Sequence, residues 1–300
     1  MLENKKKKAD LFLSLLFFCE EEALEKISMD VLLNQYDTLL FDAYGVLVNA
    51  NEALQGAREL IEKLNRINKS YYILSNGSSR SPESTALSYQ KKGLQIPSER
   101  VINSGSLVPK WINQQKIVSD KVYILGPESC HFMLEGTQCK PCSKGSDDFD
   151  LLIIGNQDGY PFVETIDHVI SSLFTIFSKK GSIPLLLPNP DLIYPKNQGV
   201  GITGGMVAKM IESALQLRFP NESISFFNLG KPYSEIFVEA KRRSGEEASL
   251  IMIGDQLYTD VRGANNAGID SVLIGTGLTK IADLDEYPLQ DVPTFTMECL

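Results

Sequence analysis

Short apolar runs, each followed at once by a polar residue or a glycine, recur along the chain. Residues 39–41 precede Asp42, residues 71–74 precede Ser75, and residues 250–253 lead into a glycine. A run of this kind, bounded by turn signals, is typical of a strand that is buried on both faces of a sheet. The pattern therefore predicts parallel strands whose carboxyl ends carry polar side chains.

Segments with helical spacing separate these runs, and strand, helix and strand in this order form a parallel unit with a right-handed crossover. We predict helices over 23–33, 53–67, 81–92, 162–177, 206–217 and 261–267 and another from Tyr233, and further strands over 101–103, 122–125, 151–154, 184–187, 226–229 and 271–274. The sequence therefore predicts an α/β fold with a doubly wound, Rossmann-like parallel sheet as its core.

The strand and helix pattern begins again midway along the chain, which indicates a second α/β unit inserted into the first. We predict an N-terminal helical extension at 1–33, a core made of 34–110 and 226–300, and an inserted α/β domain at 111–225. Within the inserted domain, residues 199–205 are expected to form a glycine-rich turn.

The N-terminal segment joins a lysine run (5–8) to a short apolar stretch (11–19) and three glutamates. A basic start resembles a secretory signal, but the stretch is too short to span a bilayer, and no small-residue cleavage site follows. We expect an amphipathic helix packed on the fold, or an extension upstream of the natural start. Export is the alternative.

The chain carries a net charge of -9 and has a pI near 4.9, which disfavours binding to nucleic acid. A small phosphorylated substrate remains compatible, because a few local cations suffice to bind it. The five cysteines are odd in number and irregularly spaced, and Cys139 and Cys142 lack a second pair at zinc-ligand spacing. We therefore expect a cytoplasmic protein with free thiols, no nucleic-acid partner and no membrane contact.

Three predicted strand ends carry polar groups of complementary kinds. Asp42 ends one strand, Ser75 and Asn76 end a second, and Asp255 ends a third, while Lys231 opens a helix. One carboxylate can attack phosphorus and another can help to hold Mg²⁺, and the hydroxyl, amide and ammonium groups can take the phosphate oxygens. This set predicts phosphoryl chemistry, although strand-end acids can also be simple turn residues.

The ordered motifs resemble those of haloacid dehalogenase (HAD) superfamily hydrolases with a large α/β cap (type C2), the class that includes p-nitrophenyl phosphatases and sugar phosphatases. The resemblance covers most of 34–280, and the inserted domain with NPD (189–191) resembles the cap of that class. Four motifs carry it: FDAYGVL (41–47), ILSNGSSR (73–80), GKPYSEIF (230–237) and GDQLYTDVRGANNAG (254–268).

The resemblance implies a role for each matching residue. Asp42 would be the nucleophile that forms an aspartyl-phosphate, and Lys231 would neutralise both Asp42 and the phosphate. Mg²⁺ would be coordinated by Asp42 and Asp255 with the main-chain carbonyl of Tyr44. Asp260 would support the metal-bound water or Lys231.

The same resemblance implies how the substrate is held. Ser75, Asn76 and Gly77 would bind the transferring phosphoryl group, and the cap would contact the rest of the substrate. Since related large-cap proteins often pair through their caps, a homodimer is also compatible. The candidates for cap contacts are Asp158, Asn189 and Asp191.

Tyr44 departs from the phosphatase pattern, which has a second Asp as general acid and base two positions after the nucleophile. The dehalogenases of the superfamily do read FDAYG here, but they lack the second acidic motif of Asp255 and Asp260 and the large cap. A phenol, with an ordinary pKa near 10, is a poor base at neutral pH. We therefore expect a slow phosphatase for small phosphorylated metabolites such as sugar phosphates. The alternatives are a 2-haloacid dehalogenase and a phosphate-ligand-binding protein that has lost turnover.

Overall fold

The computed structural model describes residues 24–196, 198–277 and 287–300, so most of the N-terminal extension considered above lies outside the described residues. The helix predicted over 23–33 begins only at Met29, and the prediction is wrong for residues 24–28. Their backbone instead runs beside the last strand, because the Ile27 N–H donates to the Thr296 carbonyl (3.0 Å) and the Thr296 N–H donates to the Glu25 carbonyl (3.0 Å).

The helices and strands alternate over most of the described chain, as the sequence predicts. The helices are α1 (Met29–Gln35), α2 (Ala57–Arg66), α3 (Pro82–Lys91), α4 (Val108–Gln114), α5 (Phe162–Lys180), α6 (Gly204–Arg218), α7 (Ser234–Ser244) and α8 (Arg262–Asn266). The strands are β1 (Thr38–Phe41), β2 (Ser70–Ser75), β3 (Val101–Asn103), β4 (Val122–Leu125), β5 (Leu151–Ile154), β6 (Leu185–Leu187), β7 (Ile193–Pro195), β8 (Val200–Ile202), β9 (Phe227–Asn228), β10 (Leu250–Gly254), β11 (Asp270–Ile274) and β12 (Phe295–Met297).

The larger sheet has six strands in the order β12-β11-β10-β1-β2-β3, and every neighbouring pair is parallel. Successive residues of β1 enter different apolar clusters: Leu39 and Phe41 pack with α2, and Leu40 packs with α4 and α7. The sheet is therefore covered by helices on both faces, which explains why its strands read as continuous apolar runs. The predicted doubly wound α/β core is confirmed.

A second sheet, β4-β5-β6-β9, is also parallel and is built mainly from the inserted segment. Leu152 and Ile154 on one face pack against α5 and α6. Leu151, Ile153 and Leu186 on the other face join the cluster that contains Trp111 of α4 and Ile236 of α7. The two sheets therefore share one continuous apolar interior.

Three local predictions differ from the structure. Strand β9 pairs with β6 of the second sheet, although the sequence pattern assigns 226–300 to the core. The expected turn at 199–205 contains β8, which forms an antiparallel two-stranded ribbon with β7. Strand β12 is not predicted from the sequence, because its three residues include a threonine and form no continuous apolar run.

Two expectations from composition can be compared with the described residues. Cys139 and Cys142 are free cysteines, as the irregular spacing predicts. None of the helices in the described ranges has the length and apolar character needed to cross a membrane.

A buried carboxylate on α7 joins this helix to α4. Glu239 is only 4% exposed and accepts hydrogen bonds from Lys110 (2.9 Å), Arg242 (2.9 and 2.8 Å) and Arg243 (2.8 Å). Burial opposes ionisation of this carboxylate, but the three cations outweigh it and hold the pKa of Glu239 below the usual range. A depressed folded-state pKa stabilises the fold above the unfolded pKa of about 4.3, and this stabilisation is lost as the pH falls through and below that value.

We therefore expect Glu239→Gln to lower the free energy of unfolding by about 2 kcal/mol at pH 7. Bonds to charged groups contribute about 1.5–3 kcal/mol, and solvent weakens those to the partly exposed cations. At pH 3 the difference from the wild type should shrink, because part of the stabilisation by the ionised Glu239 carboxylate is lost at that pH. Urea denaturation at both pH values measures this. Glu246→Gln, at an exposed carboxylate, is the control. An equal loss of unfolding free energy at pH 7 and pH 3 would show that the charge of Glu239 does not stabilise the fold.

Candidate active site

Two carboxylates lie side by side at the carboxyl edge of the larger sheet. The Asp42 N–H donates to the Ile253 carbonyl of β10 (2.9 Å), which extends the ladder of β1 by one residue. Asp255 follows β10 directly. Because β1 and β10 are adjacent and parallel, both side chains leave the sheet at the same edge, where open α/β sheets bind ligands.

Lys231, in the turn between β9 and α7, reaches this edge from a distant part of the chain. Its Nζ donates to Asp42 Oδ1 (2.6 Å) and to Asp260 Oδ1 (2.7 Å), and the residue is 2% exposed. Burial opposes the charge of the ammonium group, but Asp260 and Asp42 outweigh burial and raise the pKa of Lys231. Lys231 is therefore a fixed cation beside Asp42.

Asp260 is held on the far side of this ammonium group. It lies on a single π-helical turn, Leu257–Val261, and is fully buried. Its Oδ2 accepts a hydrogen bond from the Gln256 N–H (3.2 Å). A methyl group at Gly254 would collide with this side chain. The backbone of β10 can thus approach Asp260 closely only because residue 254 is a glycine.

Ligand atoms of Asp42, Asp255 and Asp260 lie within 4.8 Å of one another, and all three residues are buried. With all three ionised, three negative charges face the one ammonium group of Lys231. Burial raises the pKa of Asp42 to about 7, Lys231 opposes this shift and Asp260 adds to it. An excess of buried carboxylate oxygens fits a hard divalent cation such as Mg²⁺, which prefers oxygen ligands.

The 75–79 loop begins with Ser75, the last residue of β2, and lies beside this cluster. The Ser75 hydroxyl oxygen accepts from the Gly77 N–H (3.1 Å), which leaves its hydrogen to donate to an incoming oxyanion. The Asn76 side chain forms three hydrogen bonds within the protein. Its Oδ1 accepts from the Lys231 N–H (2.7 Å), and its Nδ2 donates to the Lys231 carbonyl (2.9 Å) and to Asp191 Oδ1 (2.8 Å).

Comparisons with known proteins show the family to which the chain belongs. Residues 39–140 match the family model described as haloacid dehalogenase-like hydrolase, and residues 228–298 match a HAD-hydrolase-like model. The crystal structure of a possible sugar phosphatase of the HAD superfamily from Cytophaga hutchinsonii is 31% identical, with a TM-score of 0.77, and the match covers 92% of this chain and 98% of that one. The chain belongs to the haloacid dehalogenase superfamily. This HAD hydrolase is of the phosphatase type.

Curated relatives match over most of their length. A dihydroxyacetone phosphatase of Corynebacterium glutamicum is 25% identical over 257 residues, which cover 84% of this chain and 85% of the relative. An acid sugar phosphatase of Staphylococcus aureus is 23% identical over 269 residues, covering 89% and 96%. A glycerol phosphate phosphatase of Mycobacterium tuberculosis, crystallised with calcium, is 20% identical with a TM-score of 0.75, covers 88% of this chain and 74% of that one, and supports the fold alone.

Two glycines, Gly45 and Gly277, border the carboxylate of Asp255 in this HAD hydrolase. A methyl group at Gly45 or at Gly277 would collide with it. Gly45 has φ +88°, which favours glycine, and its carbonyl accepts from the Thr276 hydroxyl (2.8 Å). The loops after β1 and β11 thus enclose Asp255 from both sides. A glycine a few residues past a buried strand is the only sequence signal for this arrangement.

The remaining sequence candidates occupy different positions. Tyr44 is 53% exposed, so its phenol ring faces solvent beside the cluster. Asp191 reaches the core through Asn76, and its own N–H donates to Asn189 Oδ1 (3.0 Å). Asp158 is exposed and bonded to Gln157 (3.0 Å). Of the three cap candidates, the structure brings Asp191 into contact with the site residues.

We expect Gly45→Ala to destabilise this HAD hydrolase more than Gly136→Ala. Both glycines have positive φ (+88° and +71°), so both substitutions strain the backbone, at a cost of about 1 kcal/mol. A methyl group at Gly136 has nothing within 4 Å, whereas one at Gly45 displaces Asp255. Overpacking adds about 1–3 kcal/mol. Urea denaturation of both variants measures the difference, and equal losses would show that Gly45 matters only through its backbone.

Proposed function

We propose that this HAD hydrolase is a Mg²⁺-dependent phosphomonoester hydrolase that acts through an aspartyl-phosphate on Asp42. The observation that carries the proposal is the buried contact of Lys231 Nζ with both Asp42 and Asp260, beside a third carboxylate. A carboxylate can approach a phosphate dianion only where fixed positive charge offsets their repulsion.

In the first step, a carboxylate oxygen of Asp42 attacks phosphorus, and the bond from phosphorus to the ester oxygen breaks. The leaving oxygen takes up a proton from solvent water. Lys231 offsets charge on Asp42 and on the phosphoryl oxygens, and the Ser75 hydroxyl donates to one of these oxygens. In the second step, water attacks the aspartyl-phosphate, so that phosphate leaves and the Asp42 carboxylate is restored.

The Mg²⁺ ligands we propose are Asp42 and Asp255 with the main-chain carbonyl of Tyr44. When bound, the ion supplies positive charge that offsets the repulsion between carboxylate and phosphate. Asp260 supports Lys231 rather than the ion, because one of its oxygens accepts from Lys231 and the other from the Gln256 N–H.

Small phosphorylated metabolites are the substrate class we propose. The relatives are named for dihydroxyacetone, sugar and glycerol phosphates, and the cap segments beside the site carry amide and carboxylate groups that can bond to hydroxyls. Tyr44 is the reason to expect slow turnover, since a phenol is a poor base for the water that hydrolyses the aspartyl-phosphate.

The dehalogenase alternative rests on one observation, Tyr44 within FDAYG. Attack on a halogen-bearing carbon needs no divalent cation, so it would give Asp255 no role in the reaction. Halide release from a 2-haloacid in the presence of a chelator would favour that activity. Binding of phosphate without product formation would favour a ligand-binding protein.

Tyr44→Asp should raise the rate of p-nitrophenyl phosphate hydrolysis with Mg²⁺ at least about tenfold, because general acid–base catalysis contributes about 10²–10⁴-fold. Tyr44→Phe should leave the slow wild-type rate nearly unchanged, since the phenol does no proton transfer. Steady-state release of nitrophenol measures all three proteins. Fast hydrolysis of sugar phosphates by the wild type, or no gain in Tyr44→Asp, would mean that another group transfers the proton.

Mg²⁺ should stabilise the wild type, by about 2.7 kcal/mol at a concentration of 100 times the dissociation constant. Asp255→Asn should lose this stabilisation, because it removes one of the proposed ligands. Thermal unfolding with Mg²⁺ and with EDTA gives the readout. Asp167→Asn, at an exposed carboxylate on α5, is the matched control and should keep the full effect. An unchanged response in Asp255→Asn would place the ion elsewhere.

A further inference from the structure

Two hydrogen bonds join the 75–79 loop to the inserted segment. The Ser78 hydroxyl donates to the Gly155 carbonyl at the end of β5 (2.6 Å), and Asn76 Nδ2 donates to Asp191 Oδ1 after β6 (2.8 Å). Ser78 and Asn76 are both buried. Both contacts are side-chain hydrogen bonds, but only Asn76 is also bonded to Lys231.

Asn76 holds both backbone groups of Lys231. Its Oδ1 accepts from the Lys231 N–H (2.7 Å), and its Nδ2 donates to the Lys231 carbonyl (2.9 Å). The second hydrogen of Nδ2 is donated to Asp191. A rotated amide would place its oxygen against two acceptors, so Asp191 adds to the preference for the observed orientation.

Asp191 is itself fixed at the base of the β7–β8 ribbon. Its N–H donates to Asn189 Oδ1 (3.0 Å), and its carbonyl accepts from the Thr203 hydroxyl and from the Gly205 N–H (3.1 Å). A methyl group at Gly205 would collide with the Asp191 carbonyl. Residues before β7 and after β8 therefore fix the backbone of Asp191, and with it the position of the carboxylate that accepts from Asn76.

We propose that Asp191 is a positioning residue. Through Asn76 it fixes the backbone of Lys231, and thereby the placement of the Lys231 ammonium group between Asp42 and Asp260. Its consequence for catalysis rests on the proposed phosphatase function. The consequence for the backbone of Lys231 does not, because it follows from the hydrogen bonds alone. Docking of the inserted segment then becomes part of assembling the site.

The test compares three variants. Asp191→Leu removes the acceptor at similar size, Asp191→Asn keeps an acceptor oxygen at the same position without the charge, and Ser78→Ala removes the other contact between the loop and the inserted segment. Hydrogen exchange of the Lys231 amide is the first readout, since this N–H is bonded to Asn76. The second readout is kcat and KM for p-nitrophenyl phosphate with Mg²⁺.

We expect Asp191→Leu to exchange the Lys231 amide at least tenfold faster and to lower kcat at least tenfold, with KM changed less than threefold. Asp191→Asn and Ser78→Ala should stay within threefold of the wild type in both readouts. Equal effects of Asp191→Leu and Ser78→Ala would overturn the proposal, because both would then act only through docking. So would unchanged exchange in Asp191→Leu.

The two readouts separate this proposal from the proposed function. A wild type without phosphatase activity would remove the function but leave the exchange result to decide the role of Asp191. If Asp191→Leu fails to fold, the exchange of Asp191→Asn decides: a rate within threefold of wild type supports the hydrogen-bond relay. An increase of tenfold or more in Asp191→Asn would overturn it.

Discussion

The site depends on one buried ammonium group that is shared by two carboxylates. Lys231 Nζ contacts both Asp42 and Asp260 at hydrogen-bond distance, and all three residues are almost completely withheld from water. Removing such charges from water costs several kcal/mol per ion, which mutual attraction repays only in good geometry. The local structure maintains this geometry. Adjacent parallel strands position Asp42 and Asp255, and a tight turn after β10 positions Asp260.

Close backbone approach is the second requirement of the same cluster. Gly254 admits Asp260, and Gly45 and Gly277 admit Asp255. Gly254 is the last residue of β10, and Gly45 and Gly277 lie on the loops that follow β1 and β11. The carboxylates are therefore packed against backbone rather than against flexible side chains. A cluster built in this way has little freedom to spread apart when its charges repel. Its excess of negative charge is better relieved by a cation than by movement.

The sequence predicts this arrangement unevenly. The strand ends at Asp42, Ser75 and Asp255 could be placed because parallel strands, once recognised by their apolar runs, bring their carboxyl ends to one edge. The neighbours of Asp255 could not be placed, since Gly45 and Gly277 are distant in sequence and carry no side chain to suggest a role. The short strand β12 could not be predicted for another reason. It lies at the edge of the sheet and lacks an apolar run.

Asn76 shows most clearly what residue type alone does not reveal. An amide after a strand end fits phosphate binding, and here both polar atoms of the side chain are bonded to the protein. One partner, the Lys231 N–H, requires an acceptor, and two partners, the Lys231 carbonyl and Asp191, require donors. Only an amide supplies one acceptor and two donors at this length, because Asp lacks the donors and Gln is longer.

Gly230 completes this arrangement, since a methyl group there would lie 2.5 Å from the Asn76 amide oxygen. The pair of a glycine and an amide is thus required by the backbone of Lys231 rather than by a ligand. The choice of Asn at 76 depends on contacts with residues more than a hundred positions away, which no local pattern contains.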